Sequence, residues 1–135
     1  MRRFFLLFAF LTLCALPAAA AEDAATAQSI IRSQVEALGR DDAATAYAFA
    51  SPDIHQRFPQ ANVFLSMVQQ NYAPVYRHKS FEFGEVRLAD GKIAQLVHIV
   101  DSDGVPWDAL YTLEQQADGS FKISGCTLIK IGQGV

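Results

Sequence analysis

The residues with the most chemical potential are His98 and Asp108, which flank the turn signal Ser102-Asp103-Gly104. A three-residue loop there sets the two side chains directly opposite each other in a hairpin. A carboxylate facing an imidazole fixes its tautomer and raises its basicity, which suits proton abstraction or the activation of a thiol. Cys126 supplies the thiol, but the expected register pairs it with Leu110, one pleat from the His98 and Asp108 pair. The competing reading is a cross-strand polar pair on a wet sheet face, worth about 0.2–1 kcal/mol.

A second constellation is apolar. Trp107, Tyr111 and Tyr47 are expected to line a pocket between helices and sheet, where a small apolar ligand would bind. Its orienting polar groups would be the Tyr111 hydroxyl and Gln95, which face each other across two strands. The same aromatics also serve as plain core, since ten Phe, four Tyr and one Trp need burial somewhere. His55, Arg57, Arg77, His78 and Lys79 form a loose basic set at the junction of helices and sheet, either an anion dock or scattered surface charge. Asp101-Ser102-Asp103-Gly104 opens like a calcium loop but lacks the closing glutamate, and reads as a turn. No phosphate loop, nucleophile elbow or metal-spaced Cys/His set occurs, so no cofactor and no metal are expected.

These side chains are positioned by a helical half followed by a β half. Ile30, Ile31, Val35 and Leu38 recur at helical spacing over 28–38, and Gly39 is placed to close that helix in the left-handed conformation. Asp41 is expected to cap a second helix running through Phe49, and Ser51-Pro52 to open a short one over 52–58. Asn62 is expected to cap a third helix that turns Val63, Phe64, Met67 and Val68 inward and ends before Pro74.

Beyond Pro74 the hydrophobic period becomes two, punctuated by Asp90-Gly91, Asp103-Gly104 and Asp118-Gly119. The pattern predicts a four-stranded antiparallel meander over 76–88, 93–101, 105–115 and 120–130. An Ala117-Asp118-Gly119 loop pairs Leu113 with Ile123 and Glu114 with Lys122; the preceding loop pairs Ile99 with Trp107 and Val97 with Ala109. One face then carries Ile93, Val97, Ile99, Trp107, Ala109, Tyr111, Leu113, Phe121, Ile123 and Ile129. The other carries Leu96, His98, Asp108, Leu110, Thr112, Ser124, Cys126 and Leu128. Gly84, where Phe81 and Phe83 fall out of phase with Val86 and Leu88, marks a β-bulge.

Residues 1–21 read as a secretory signal peptide: Arg2 and Arg3, an apolar core over 4–16, then Pro17 and small residues up to Ala21. The apolar run is too short to span a bilayer, so no stable membrane anchor is expected after cleavage. Residues 22–135 form one domain. Loss of Arg2 and Arg3 leaves nine basic residues against 14 acidic, moving the net charge from −3 to −5, and nucleic acid is an unsuitable partner. Cys14 lies in the leader; Cys126 is then alone, without a disulfide, and reads as a buried thiol.

Helices followed by a bent antiparallel sheet resemble the cone-shaped nuclear transport factor 2-like α+β domain, and the segment 117–126 resembles that superfamily's final hairpin. More closely, Ala50-Ser51-Pro52-Asp53-Ile54, Ala73-Pro74-Val75-Tyr76-Arg77 and the segment 107–115 resemble a family of exported bacterial proteins, domain of unknown function 4864. The resemblance implies a fold and an exported, periplasmic or secreted location, and no activity. A non-catalytic small-molecule-binding or accessory module is the leading expectation. The others are an isomerase, dehydratase or cyclase built on a His/Asp pair, and a homodimeric or partner-docking scaffold using Leu96, Leu110 and Leu128.

Overall fold

A computed structural model describes residues 18–132. Most of the expected signal peptide, residues 1–17, lies outside the described residues. The first helix, α1 (Ala18–Gly39), begins well before residue 28 and takes in the alanines that the sequence reading assigns to the leader. Alanine is the strongest helix former, which accounts for the extension. Ala27, Ile31, Val35 and Leu38 make its buried stripe, a spacing that keeps one side of a 3.6-residue helix against the sheet.

Three expected helix-boundary residues move by one or two positions. The left-handed residue after α1 is Asp41, at φ +56°, rather than Gly39; aspartate is among the few side chains that tolerate this region. Asp42 therefore takes over as N-cap of α2 (Ala43–Ala48), accepting the Thr45 N–H at 3.2 Å. The next helix, α3 (Pro52–Arg57), has Ser51 at its N-cap and proline in its first turn as expected, although the serine hydroxyl makes no cap bond. Gln60 precedes α4 (Ala61–Asn71), so Asn62 lies inside that helix instead of capping it. Phe64 and Val68 are buried, whereas Val63, expected to face inward, is 45 % exposed. A one-turn helix not foreseen from the sequence, α5 (Ala73–Tyr76), accepts Pro74 in its first turn, where no amide hydrogen is required.

The strands β1 (His78–Ala89), β2 (Lys92–Asp101), β3 (Pro106–Gln115) and β4 (Phe121–Lys130) form one open antiparallel sheet in the order β1-β2-β3-β4. Gly91, Gly104 and Gly119 take positive φ in the three connections, the conformation that glycine adopts without penalty. Three-residue loops follow Asp101 and Gln116, closed by Gly104 N–H to Asp101 C=O at 3.0 Å and Gly119 N–H to Gln116 C=O at 2.9 Å. The expected pairs result: Ile99 with Trp107, His98 with Asp108, Gln95 with Tyr111, Leu113 with Ile123 and Glu114 with Lys122. The chain is thus α+β, N-terminal helices against a four-stranded antiparallel sheet.

Two bulges decide which side chains reach the helices. The first falls between Phe83 and Val86, beside Gly84, and resets the phase of β1. The second was not anticipated. Thr112 pairs with Gly125 and Leu113 with Ile123, so Ser124 is an extra residue in β4, and the side chains beyond it exchange faces. Cys126 therefore pairs with Tyr111, not Leu110, and lies on the inner face with Leu128; Ile129, expected inside, is 52 % exposed. Immediately before the bulge, residues 49–51 dock on the edge of β4 through Ile123 N–H to Phe49 C=O at 2.9 Å and Ser51 N–H to Ile123 C=O at 2.8 Å. The core fills the space between sheet and helices, with Ile31, Leu38, Val97, Ile99, Tyr111 and Leu113 almost wholly enclosed.

Candidate functional site

A partly enclosed cavity of about 170 Å³ lies between the helices and the β3–β4 end of the sheet. Leu38 of α1, Ile54 of α3, Phe64 and Val68 of α4 and Val75 of α5 give it an apolar wall. Its other wall is the β3–β4 pair, contributing Tyr111 and residues 123–126. The Ser124 bulge is what turns Cys126 toward this space. A volume of this order accepts a single six-membered ring or a short branched chain, since an apolar cavity of about 150 Å³ holds benzene.

The polar groups of the cavity are few. Tyr111 is 1 % exposed and its hydroxyl has no hydrogen-bond partner; native proteins leave few buried polar atoms in that condition. Gln34, also buried, donates Nε2 to the Ala46 carbonyl at 3.1 Å and is among the lining residues. Burial pushes the Cys126 thiol up to about 12, partly offset by the Tyr111 hydroxyl beside it. Tyr111 is raised well above the ordinary phenol value by burial first and by the thiol second. Tyr72 is raised by burial and by Cys126, with Arg57 pulling the other way. Near neutral pH these phenols and the thiol keep their protons, so they act as hydrogen-bond donors and not as bases or nucleophiles.

Of the residues named from sequence as pocket-forming, only Tyr111 reaches the cavity. Tyr47 stacks on His55 with ring centroids 3.8 Å apart and gives its hydroxyl hydrogen to the Phe58 carbonyl at 2.5 Å. Gln95 is fully buried, but its Nε2 is spent on the carbonyls of Gly84, Glu85 and Leu96 at 3.1, 3.3 and 2.8 Å, and its Oε1 accepts from Gln28. It is the internal brace of the β1 bulge. Trp107 lies toward the far end of β3, its Nε1–H on Asp101 at 3.0 Å and the Lys130 ammonium 5.8 Å over its ring. Gln34, Arg57, Tyr72 and Ser124 were not anticipated as its polar lining. The out-of-phase pairs Phe121, Ile123 and Cys126, Leu128, with Gly125 between them, carried the signal for the bulge.

His98 and Asp108 do meet, Nδ1 to Oδ1 at 2.7 Å, but on the outer face of the sheet. A β-carbon built on Gly84 would stand 2.8 Å from His98 Nε2, so that nitrogen lies over the backbone of β1. Cys126 is on the inner face, and the sheet separates it from the dyad. The three residues do not form one site.

The loose basic set also disperses. His55 Nε2 is 2.7 Å from the Tyr47 carbonyl, His78 Nδ1 is 3.1 Å from the Val75 carbonyl, and Arg77 packs over the Tyr76 ring at 3.8 Å. Arg57 alone of them borders the cavity. Asp101 is held below the ordinary carboxylate range by the Val105 N–H first and the Trp107 indole second, which makes the Asp-Ser-Asp-Gly segment a braced turn. Among the described residues no group of three or more His, Cys, Asp or Glu is arranged to hold a metal ion, and no helix is long and apolar enough to cross a membrane.

Residues 20–133 match the family described as "Domain of unknown function (DUF4864)". No curated protein matches the chain. Among solved structures, a de novo designed β-sheet protein with a cystatin fold is similar at 15 % identity and a TM-score of 0.35, covering 58 % of this chain and 95 % of its own.

Proposed function

The chain belongs to the family of domain of unknown function DUF4864, and we propose that this member is a non-catalytic binding module for a small, largely apolar molecule held between helices and sheet. One observation carries the reading: Tyr111, whose buried hydroxyl has no hydrogen-bond partner among the described residues, is one of the residues that line a cavity of about 170 Å³. A bound molecule with one acceptor atom would satisfy it and cover the surrounding apolar wall. The chemistry of the lining supports binding over turnover, because thiol and phenols are held protonated and no carboxylate or imidazole borders the cavity.

The proposal places the module outside the cytoplasm, on the strength of the leader-like pattern of residues 1–21. It also takes the arrangement as a nuclear transport factor 2-like cone, supported by the order of helices before sheet and by the two bulges that reshape it.

Native mass spectrometry of the protein recovered gently from the exported fraction tests the reading. A reproducible small-molecule adduct is expected, absent from a Val68→Phe variant whose larger side chain fills the cavity. Bare chain in both proteins, with no uptake of single-ring aromatics at millimolar concentration, would overturn it.

A further inference from the structure

Resting on the pocket reading, we propose that the ligand is a monocarboxylate whose anionic head docks on Arg57 at the cavity edge while its apolar body runs inward toward Tyr111. Arg57 is the only charged residue among the 15 that line the cavity; the lining holds no Asp and no Glu. Among the described residues it forms no ion pair, whereas Arg40 lies 3.8 Å from Asp42 and Arg77 lies 3.7 Å from Asp41. Arg32 and Lys122 are engaged in other ways. Arg32 lies 5.0 Å over Phe83, and Lys122 donates to the Ala48 carbonyl at 2.9 Å. What sets Arg57 apart is its place beside an apolar cavity, where an anionic ligand head would be its complement.

The head group follows from the donors. A guanidinium presents a planar fork that matches the two oxygens of a carboxylate. Tyr72 stands near enough to feel the Arg57 charge, and Tyr111 near enough to feel Tyr72. Arg57, Tyr72 and Tyr111 all line the cavity, from the exposed arginine to the enclosed phenol. A carboxylate accepts at the exposed arginine, and a cavity of about 170 Å³ accepts one ring behind it. Phenylacetate has this shape and charge, and 2-phenylethanol is its neutral counterpart.

Isothermal titration of the protein with phenylacetate and with 2-phenylethanol at low ionic strength, for wild type, Arg57→Gln and the distant control Arg40→Gln, tests the assignment. The expected result is about tenfold tighter binding of the acid. Arg57→Gln should erase that preference without weakening the alcohol, and Arg40→Gln should preserve it. Equal affinities in wild type, or a preference that survives Arg57→Gln, overturn the anionic head and leave the pocket standing. Binding of neither compound overturns the pocket reading and this inference with it. Circular dichroism of each variant confirms that a lost preference is not a lost fold.

Discussion

Tyr111 and Cys126 are cross-strand partners on the cavity side of the sheet, a phenol buried without an N or O partner facing a thiol that burial keeps protonated. The pair exists because one extra residue, Ser124, turns β4 over by half a pleat repeat. In an unbroken ladder continued from Leu113 and Ile123 the thiol would face solvent opposite Leu110, and the phenol would sit opposite Gly125.

Replacing Tyr111 with Phe should leave the stability of the empty protein unchanged or raise it by up to about 1 kcal/mol, because the hydroxyl gives up hydration and gains little in return. The urea midpoint at pH 7 measures this. A loss above about 1 kcal/mol would show that the hydroxyl is well bonded in the folded chain.

Cys126 should resist alkylation by iodoacetamide at pH 8 in the native protein and react as soon as the chain is unfolded. Its proton is held more tightly in the folded state than at the ordinary value of 9.0, so the stabilisation is complete below pH 9 and declines as pH rises toward about 12. Between pH 7 and pH 10, wild type should lose about 1 kcal/mol more than Cys126→Ala, compared by urea unfolding at both pH values. Equal losses would place the thiol in water.

Gln95→Leu should cost about 2–3 kcal/mol despite its greater hydrophobicity, since it strips the carbonyls of Gly84 and Glu85 of a donor inside the protein. Chemical denaturation gives the number directly. A neutral outcome would mean that water reaches the bulge.

Gly84→Ala should push the His98 ring off β1 and weaken its bond to Asp108, because the new methyl would start 2.8 Å from Nε2. Imidazole nitrogen shifts measured by NMR should change from those of wild type, while phenylacetate affinity stays the same. A loss of binding on this substitution would link the outer dyad to the cavity after all.

Registers were legible where the chain carries its own punctuation. Gly104 and Gly119 fix three-residue loops, and from them the pairs Gln95 with Tyr111 and Leu113 with Ile123 follow by counting. The fate of Cys126 was not obtained, because counting past Gly125 assumed an unbroken ladder. Gly84 was taken as a bulge on the same kind of signal, and there the expectation matched. The roles of Gln95 and Tyr47 were hidden for a different reason: both were assigned to a pocket by face alone. Gln95 is instead bound to a carbonyl-rich bulge and Tyr47 to the Phe58 carbonyl, partners that lie in other elements and leave no trace in local pattern. Arg57 and Tyr72, from α3 and the residue before α5, share the cavity lining only through the tertiary fold.

The same irregularities that shape the cavity also guard the margins of the sheet. An open sheet has two free borders, each a template on which a foreign strand could grow. Along β1 the ladder is broken twice, between His78 and Ser80 and between Phe83 and Val86, and Lys79, Glu82, Glu85 and Arg87 stand exposed on it. Along β4 the chain's own residues 49–51 occupy the border at Ile123, and the Ser124 bulge follows directly. Each border is thus interrupted along part of its length, so an incoming strand meets no run of backbone amides and carbonyls that spans the whole edge, although the sheet is not closed into a barrel.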